Sequence, residues 1–507
     1  MDRTSNVASN VAAALAHNKL GTTRVTQFAL SAAATLTVVA GVLPTGYAVT
    51  GIIGIPAAFV LLGVVLIVFC VGYNAMSRRI SNAGAFYAYI AQGVSRPAGV
   101  AAAWVALGCY NLLQVGLYGI FGAVGAPLLN QALHVNLAWW GWALIAWAIV
   151  AVLGLIQVEF NGSVLGILMV AEVVVILIYF VAFVGHPAGG QVTATTFLPS
   201  NLFVPGWGAL LVIAMTGFVG FESAAFYSEE AKNSQRTVPI ATYVCVGLIA
   251  LLYCLSSWGL SVVVGPNQIV SQSGKQGGEL LFNLAAQTLG PAWGTIGHAL
   301  LLTSVFAAMI SYHASASRYV FSLGREGVLP AAFGRTLPKT GAPVWGSLCQ
   351  TILGLAVIVG YAVAGLDPLL NLFFWLGTTG GFGVLILLTF TSAAVIGYFQ
   401  RKGGENIWRA VIAPFLTLVA LAAAVILSVA NFATLLGVSP HSPARWAFPA
   451  AYLVIALGGV LWAAVLRARR PEVYERIGLG VSAETGRTTA LGSEGGDSFD
   501  NRAGSLL

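Results

Sequence analysis

Two long stretches without a charged side chain restrict this chain more than any other feature of its sequence. Residues 25–77 and 97–158 contain no Asp, Glu, Lys or Arg. A helix needs about 20 apolar residues to cross a bilayer, so each stretch has room for two crossings and a short connection. The pattern predicts an all-α polytopic membrane protein.

The composition agrees with this prediction. The 507 residues are 58% hydrophobic and 8% charged, whereas soluble domains have about 25% charged residues. The net charge of +7 comes from basic residues dispersed over many loops, which fits contact with anionic lipid rather than with nucleic acid. The five cysteines lie in apolar runs without metal-ligand spacing, so we expect no metal site.

Hydropathy predicts twelve membrane spans in one transporter domain, residues 26–466, between an N-terminal tail (1–25) and a C-terminal tail (467–507). The C-terminal tail is rich in Gly, Ser and Thr and is expected to be disordered. Region 84–127 leaves counts of eleven or thirteen open. The predicted spans are 27–47, 52–74, 98–124, 137–157, 163–185, 207–229, 238–264, 291–318, 343–364, 369–399, 411–431 and 447–466.

The distribution of basic residues predicts the orientation. If the N-terminus is cytoplasmic, every Lys and Arg except Lys275 and Arg445 falls in a cytoplasmic segment. Cytoplasmic loops of membrane proteins are enriched in these residues, and a miscounted span would remove the bias. We therefore expect twelve spans with both termini in the cytoplasm.

Two predicted spans carry helix-breaking residues near their middle. The sixth contains Gly217, Gly220 and Glu222, and the first contains Gly41 followed by Pro44. An ionisable residue at membrane depth is costly and indicates function by default. Irregular backbone is tolerated there only where it lines a protein-buried cavity. Interrupted spans at corresponding positions of two halves are typical of a transporter binding site.

Such interruptions have a definite chemistry. The N-terminal end of a half-helix presents N–H groups and a positive dipole that suit a substrate carboxylate, while carbonyls at a C-terminal end suit an ammonium group. The alternative is that these glycines only allow helices to pack closely.

Three segments resemble amino acid–polyamine–organocation permeases: TGFVGFESAAFYSEEAKNSQRTVPIA (216–241), RYVFSLGREGVLPAAFGRTLPKTGAPVWG (318–346) and, more weakly, NAGAFYAYIAQG (82–93). The resemblance covers about residues 30–465. It implies the leucine-transporter-type fold, in which an inverted repeat of five plus five spans (27–185 and 207–399) is followed by two further helices (411–466).

The resemblance also implies roles for individual residues. The turn in the first span would meet the substrate carboxylate, and the turn in the sixth would meet its amino group. Glu222 matches a glutamate tied to proton coupling and gating. This sequence departs from the family pattern in two places. The first-span turn is poorer in glycine than is usual. Thr216 stands where some members that transport cationic substrates have an aromatic residue. The implied substrate-binding residues are Ala40, Gly41, Val42, Asn111, Thr216, Gly217, Phe218, Val219 and Tyr312.

Other polar residues allow two interpretations. Glu172 in the fifth span would face the first and eighth spans, where it either couples an ion to transport or anchors neighbouring helices. The inner end of the sixth span carries Glu229, Glu230, Lys232 and Arg236. With Arg325 and Glu326 they form either an inner ion-pair gate or a solvated charged face.

These features together predict a secondary active transporter in the plasma membrane. We expect import of a small amino acid or related amine by alternating access, coupled to H⁺ rather than Na⁺ through Glu222 or Glu172, without a cofactor. Alternatives are an exchanger or polyamine permease, a channel, and a nutrient sensor that does not translocate. A Walker loop and a catalytic constellation are absent from the sequence, which argues against an ATP-driven pump and an enzyme. The oligomeric state stays open.

Overall fold

The structure of the protein is a computed structural model that describes residues 20–156, 162–337 and 340–480. Within these ranges the regular structure is helical, and the only strand-like pairings are isolated bridges between Leu20 and Ala231 and between Thr336 and Pro343. The all-α prediction is therefore confirmed for the described chain.

Twelve apolar helical segments follow each other along the described chain, and we label them α1 to α12. Their bounds are α1 Thr22–Thr50, α2 Ile55–Ser77, α3 Arg96–Leu133, α4 Trp139–Leu153, α5 Gly162–Gly185, α6 Gly208–Tyr227, α7 Ser234–Val264, α8 Pro291–Arg325, α9 Val344–Ala364, α10 Pro368–Lys402, α11 Trp408–Ala430 and α12 Ala444–Arg469.

Shorter helices occupy the connections and the C-terminal segment. They are Ala85–Gly93, Pro199–Leu202, Ile269–Gln276, Leu280–Leu289, Phe432–Leu436 and Pro471–Arg476.

Eleven of the twelve labelled segments are long and apolar enough to cross a membrane, whereas α4 has only 15 residues. The predicted fourth span, 137–157, ends where the described chain is interrupted. The twelve-span count stays a prediction. It is favoured by the position of Leu20 and of the Pro471–Gly480 segment at the same face of the molecule, because two ends on one face require an even number of crossings.

Contacts among loops define this shared face. Leu20 exchanges backbone hydrogen bonds with Glu230 and Lys232, and the amide of Ala83 donates to the carboxylate of Glu229. Arg401 donates to the carbonyl of Gln92. We call this surface the basic face, because these loops carry most of the basic residues.

The helices α1 and α6 form the centre of the bundle. In each of them the most apolar stretch of 18 residues is completely buried, whereas only 22% of the residues in the corresponding stretch are buried in α9 and in α12. A helix that exposes apolar side chains around the outside of a bundle suits contact with lipid, and one that is enclosed on all sides must pack against protein. The two spans predicted to be interrupted are thus the two most enclosed ones.

The C-terminal tail differs from its prediction. Disorder does not begin at Pro471, because Pro471–Arg476 is helical and Ile477 is buried. The remainder of the predicted tail, residues 481–507, lies outside the described residues, as do residues 1–19 of the N-terminal tail.

Candidate substrate site between two interrupted helices

The interruption of α6 is centred on Gly220. The α-helix ends at Phe218, Val219 is extended (φ −56°, ψ 130°), and a 3₁₀ helix resumes at Phe221. Gly220 has a φ of +123°, a conformation that residues with a side chain rarely adopt. A Cβ at this position would also lie 2.6 Å from the amide nitrogen of Ala33 in α1. Glycine is therefore required twice here, by its conformation and by the approach of α1.

Glu222 stabilises this interruption from within. Its Oε2 accepts the amide of Gly220 at 2.9 Å, and its Oε1 accepts the hydroxyl of Tyr110 at 2.8 Å. The carboxylate is completely buried and pairs with no cation among the residues described. The structure thus confirms that α6 is interrupted and that a buried carboxylate lies at the interruption.

The interruption of α1 lies at Ala34, not at the predicted turn. Ala34 has a left-handed conformation (φ 50°, ψ 59°) between helical segments that end at Ala33 and begin at Thr35. Residues Ala40, Gly41 and Val42 belong instead to a π-helical turn, Val38–Val42. The glycine in the sequence marked the wrong position, because Gly41 is needed for packing: a Cβ there would lie 2.5 Å from Ile120 and 2.7 Å from Phe373.

Glu172 reaches the α1 interruption from α5. Its Oε2 accepts hydrogen bonds from the hydroxyl of Thr35 at 3.0 Å, the amide of Leu36 at 3.4 Å and the hydroxyl of Ser304 at 2.8 Å. Thr35 and Leu36 are the first residues of the second half of α1, whose N–H groups have no carbonyl within that half-helix to bond. Glu172 therefore acts as the cap of this half-helix, and it links α1, α5 and α8.

The two interruptions are in contact with each other. Gly220 approaches Ala33 directly, and the hydroxyl of Tyr253 in α7 donates to the carbonyl of Ala33 at 3.0 Å. The positive N-terminal end of the second half of α1 and the negative C-terminal end of the first half of α6 are consequently neighbours. This pair of opposite dipole ends can hold a zwitterion.

A cavity lies beside both interruptions. Its volume is about 30 Å³, enough for a water molecule but too small for an amino acid, so substrate entry requires the helices to move apart. The described residues that line it are uncharged: Ala32, Ala33, Ala34, Thr37, Val38, Val42, Leu113, Leu117, Thr216, Tyr312, Phe373, Phe374, Gly377 and Thr378.

The structure brings three of the predicted site residues into the cavity wall, namely Val42, Thr216 and Tyr312. Val219 is adjacent, since its carbonyl accepts the hydroxyl of Tyr312 at 3.5 Å. Whether these residues bind substrate is untested.

The other predicted residues lie elsewhere. Gly217 packs closely against Phe59 and Tyr253, and the ring of Phe218 packs on Phe59 at a centroid distance of 5.9 Å. The side-chain amide of Asn111 donates to the backbone carbonyl of Leu107 in the same helix. For Gly41 and Gly217 the close-packing alternative describes what the structure shows.

Sequence reasoning missed residues that complete the site. Tyr110 connects Glu222 to the cavity, because its ring lies 6.3 Å from that of Tyr312. Phe373 and Thr378 bring α10 into the wall. Aromatic and hydroxyl side chains are frequent throughout this chain, so neither had a distinguishing signal. In the structure α10 begins with a π-helix, Pro368–Trp375, a rare element often found at functional sites, but this element is visible only once the helix is folded.

The predicted inner charge cluster is an ion-pair network at the basic face. Arg325 binds Glu229 through two hydrogen bonds of 2.9 Å, and Arg318 binds Glu230 at 2.9 Å. All four side chains are at most 10% exposed, so the solvated-face alternative is wrong for Glu229, Glu230 and Arg325. It holds for Lys232 and Arg236 of the predicted cluster, which are exposed. A gating role of the network stays a prediction.

Glu326 differs from this network, because it binds the C-terminal segment. Its carboxylate accepts Tyr87 at 2.6 Å, Asn82 at 3.0 Å, and the amides of Gly478 at 2.7 Å and Gly480 at 3.0 Å. Burial raises the pKa of Glu326 above its ordinary value, and these hydrogen bonds offset only part of that shift.

Comparison with known proteins decides the family. A family model described as amino acid permease matches residues 20–460. This chain belongs to that family. As a permease of the amino acid–polyamine–organocation superfamily, it is a transporter and not an enzyme. Within the described residues, no group of three or more His, Cys, Asp or Glu side chains is arranged to hold a metal ion.

Curated relatives of this permease are distant. The low-affinity putrescine importer PlaP of Escherichia coli is 21% identical over 359 residues, 69% of this chain and 75% of the relative. The uncharacterized amino acid permease YecA of Bacillus subtilis is 26% identical over 303 residues, 58% and 66% of the two chains. Cationic amino acid transporter 5 of Arabidopsis thaliana is 29% identical over 199 residues, 39% and 33% of the two chains.

Proposed function

We propose that this permease is a secondary active transporter that imports a small amino acid or related amine together with H⁺ by alternating access. The observation that carries the proposal is the contact between two interrupted helices beside one cavity, with a buried carboxylate at each interruption. We place the protein in the plasma membrane with both termini in the cytoplasm; the positive-inside bias and the common face of Leu20 and the Pro471–Gly480 segment support this orientation.

Glu172 offers a physical route from proton binding to substrate binding. Ala34 and Thr37 line the cavity. Between them in sequence, Thr35 and Leu36 donate hydrogen bonds to Glu172. A substrate carboxylate at this end would therefore lie beside a second carboxylate. Like charges repel, so substrate binds more tightly when Glu172 is protonated, and by linkage substrate favours the bound proton to the same extent.

Glu222 would act on the α6 side of the cavity. Its ionised form accepts both the Gly220 amide and the Tyr110 hydroxyl, and a protonated carboxyl accepts fewer hydrogen bonds. Protonation therefore loosens the interruption at Gly220 and its link through Tyr110 towards Tyr312. Such a change favours a different packing of the two central helices, as alternating access requires.

Uptake of labelled amino acids into proteoliposomes, with and without an inward proton gradient, tests this proposal. The wild-type protein is expected to accumulate substrate when the gradient is imposed. Glu172→Gln and Glu222→Gln are expected to lose this response while retaining exchange of labelled for unlabelled substrate, which shows that each variant is folded and binds. Glu405→Gln, at the basic face, is the control and should respond normally.

Three results would contradict the proposal in different ways. Passive equilibration by the wild type would indicate a channel, and binding without flux would indicate a sensor. A normal response of both Gln variants to the gradient would remove these carboxylates from coupling.

A further inference from the structure

The residues that line the cavity indicate which substrates the site can accept. We infer that this site selects a small amino acid with an uncharged side chain, and that Phe373 sets the upper limit on side-chain size. The inference rests on the proposed transport function and specifies its substrate.

The charge of the site supports an uncharged side chain. The half-helix ends offer one positive and one negative region, which match one carboxylate and one ammonium group. The carboxylates nearest to the cavity are already engaged, Glu222 by Gly220 and Tyr110, and Glu172 by Thr35 and Ser304. Neither lines the cavity. The second cation of lysine or of a diamine would therefore be buried without a counter-charge, which is strongly unfavourable.

A diamine meets a second obstacle. It has no carboxylate, so one of its ammonium groups would have to face the positive end of the second half of α1, where Glu172 is protonated in the substrate-binding state proposed above and offers no counter-charge. The site thus differs chemically from what a diamine requires, although one relative of this permease is a putrescine importer.

The hydroxyl groups of the wall do not change this picture. Thr216 donates to the carbonyl of Val212 at 2.8 Å, and Thr378 donates to that of Phe374 at 2.6 Å. Both hydroxyls thus donate within their own helices. The other two wall hydroxyls are also engaged, since Thr37 donates to Ser304 at 3.4 Å and Tyr312 to the carbonyl of Val219 at 3.5 Å. The rest of the wall is formed mainly by Ala, Val, Leu and Phe side chains, which suit hydrogen or a small alkyl group.

Phe373 limits the size of the site. Its ring edge lies against Gly41, so that a Cβ on Gly41 would be 2.7 Å from it. The side chain is 5% exposed; it forms part of the cavity wall and packs against the π-helical turn of α1. Because α1 and α10 are already in contact here, the cavity cannot grow in this direction unless the ring moves or is removed.

Direct uptake of separate labelled compounds by proteoliposomes tests both parts of the inference. The panel is glycine, L-alanine, L-serine, L-leucine, L-phenylalanine, L-lysine and putrescine. We expect uptake of the three small amino acids to exceed that of lysine and putrescine at least about a hundredfold, which corresponds to about 2.7 kcal/mol, because the second charge of lysine or putrescine would be buried without a partner.

Substitution of Phe373 tests the size limit. In Phe373→Ala and the milder Phe373→Leu, uptake of leucine and phenylalanine relative to alanine should rise about tenfold or more, the usual discrimination for a methylene or two. Phe390→Ala is the matched control, because Phe390 lies on the same helix with 54% exposure. It should leave the ratios unchanged. Retained alanine uptake shows that a variant is folded.

The outcomes separate this inference from the function on which it rests. Lysine or putrescine uptake equal to that of alanine overturns the charge argument and leaves transport intact. Unchanged ratios in a Phe373 variant that still transports alanine overturn the size argument. Absence of uptake for the whole panel contradicts the proposed function, and the inference fails with it.

Discussion

At the scale of single residues, buried charge is the feature with the largest energetic consequence. Arg318 and Glu230 form an ion pair with side chains 6% and 10% exposed, and the guanidinium also lies 4.7 Å from the ring centre of Tyr227. Removing one member of a buried pair leaves the other charged and unpaired, which costs about 3–5 kcal/mol.

Glu230→Gln should therefore lower the melting temperature of the purified protein substantially. The control is Glu405→Gln. The Glu405 side chain is 12% exposed, but its partners Arg79 and Arg409 are 47% and 44% exposed and stay in contact with solvent when the carboxylate is removed. Pairs with solvent-exposed side chains contribute about 0–1 kcal/mol, so this control should melt close to the wild type. Equal melting temperatures for both variants would show that the Arg318–Glu230 pair is solvated in the protein.

Residue-level prediction from the sequence succeeded where a residue was out of place for its surroundings. Glu222 and Glu172 stand out because a carboxylate in an apolar run has to be explained. Tyr110 and Phe373 do not stand out, because an aromatic residue in a membrane helix is unremarkable until its neighbours are known. The buried carboxylates at the two interruptions were therefore visible in the sequence, whereas their coupling role stays a prediction and the wall of the cavity was not visible.

At the scale of helices, the interruption of α6 depends on one glycine. Gly220→Ala should destabilise the protein, because a strained non-glycine conformation costs about 1–3 kcal/mol and the new Cβ would lie 2.6 Å from the amide nitrogen of Ala33. Thermal denaturation followed by fluorescence measures the effect. Substrate exchange should fall as well, since the contact between the two interruptions is lost.

Gly247→Ala provides the matched control within a helix. A Cβ at Gly247 in α7 would meet nothing within 4 Å, and alanine is a better helix former than glycine by about 1 kcal/mol. This variant should melt at or slightly above the wild-type temperature. A Gly220→Ala protein as stable as Gly247→Ala would mean that the interruption of α6 does not have the described backbone.

The two interruptions also show what glycine can and cannot indicate. Gly220 marks the interruption of α6 because residues with a side chain rarely adopt the backbone conformation found there. In α1 the interruption falls on Ala34, which adopts the left-handed conformation although it is not glycine, and the hydrogen bonds that Glu172 makes to the next half-helix support it. This support comes from α5, far away in sequence, and no local pattern could have revealed it.

At the scale of the whole molecule, the C-terminal segment holds together parts of the basic face that are distant in sequence. The amides of Gly478 and Gly480 bind Glu326 at the end of α8, and the carbonyl of Gly478 accepts Gln92 at 2.7 Å. Its composition alone predicts disorder. Only the assembled partners, the acceptor Glu326 at the end of α8 and the donor Gln92 in the helix Ala85–Gly93, explain why residues 477–480 are ordered.

Truncation tests the contribution of this segment. A stop after Arg476 removes Ile477, which is 1% exposed, together with both amide donors to Glu326. We expect a loss on the order of 2–4 kcal/mol from the apolar burial and the hydrogen bonds, measured as a lower melting temperature. A stop after Ala483 keeps the segment and should melt like the full chain. If both truncated proteins melt alike, the segment does not contribute to stability.

Glu326 itself predicts a dependence on pH. Burial raises the pKa of Glu326 above its ordinary value, although the amide of Gly478 acts in the opposite direction; Tyr87 beside it has a pKa well above the usual tyrosine value and stays neutral. Because the pKa is higher in the folded than in the unfolded protein, the carboxyl contributes fully to stability below the ordinary glutamate pKa of about 4.3, and this contribution declines as the pH rises through the raised value. The melting temperature of the full chain relative to that of Glu326→Gln, which cannot ionise at this position, should therefore fall with increasing pH. A difference that grows with pH would show instead that the hydrogen bonds to the ionised carboxylate outweigh its burial.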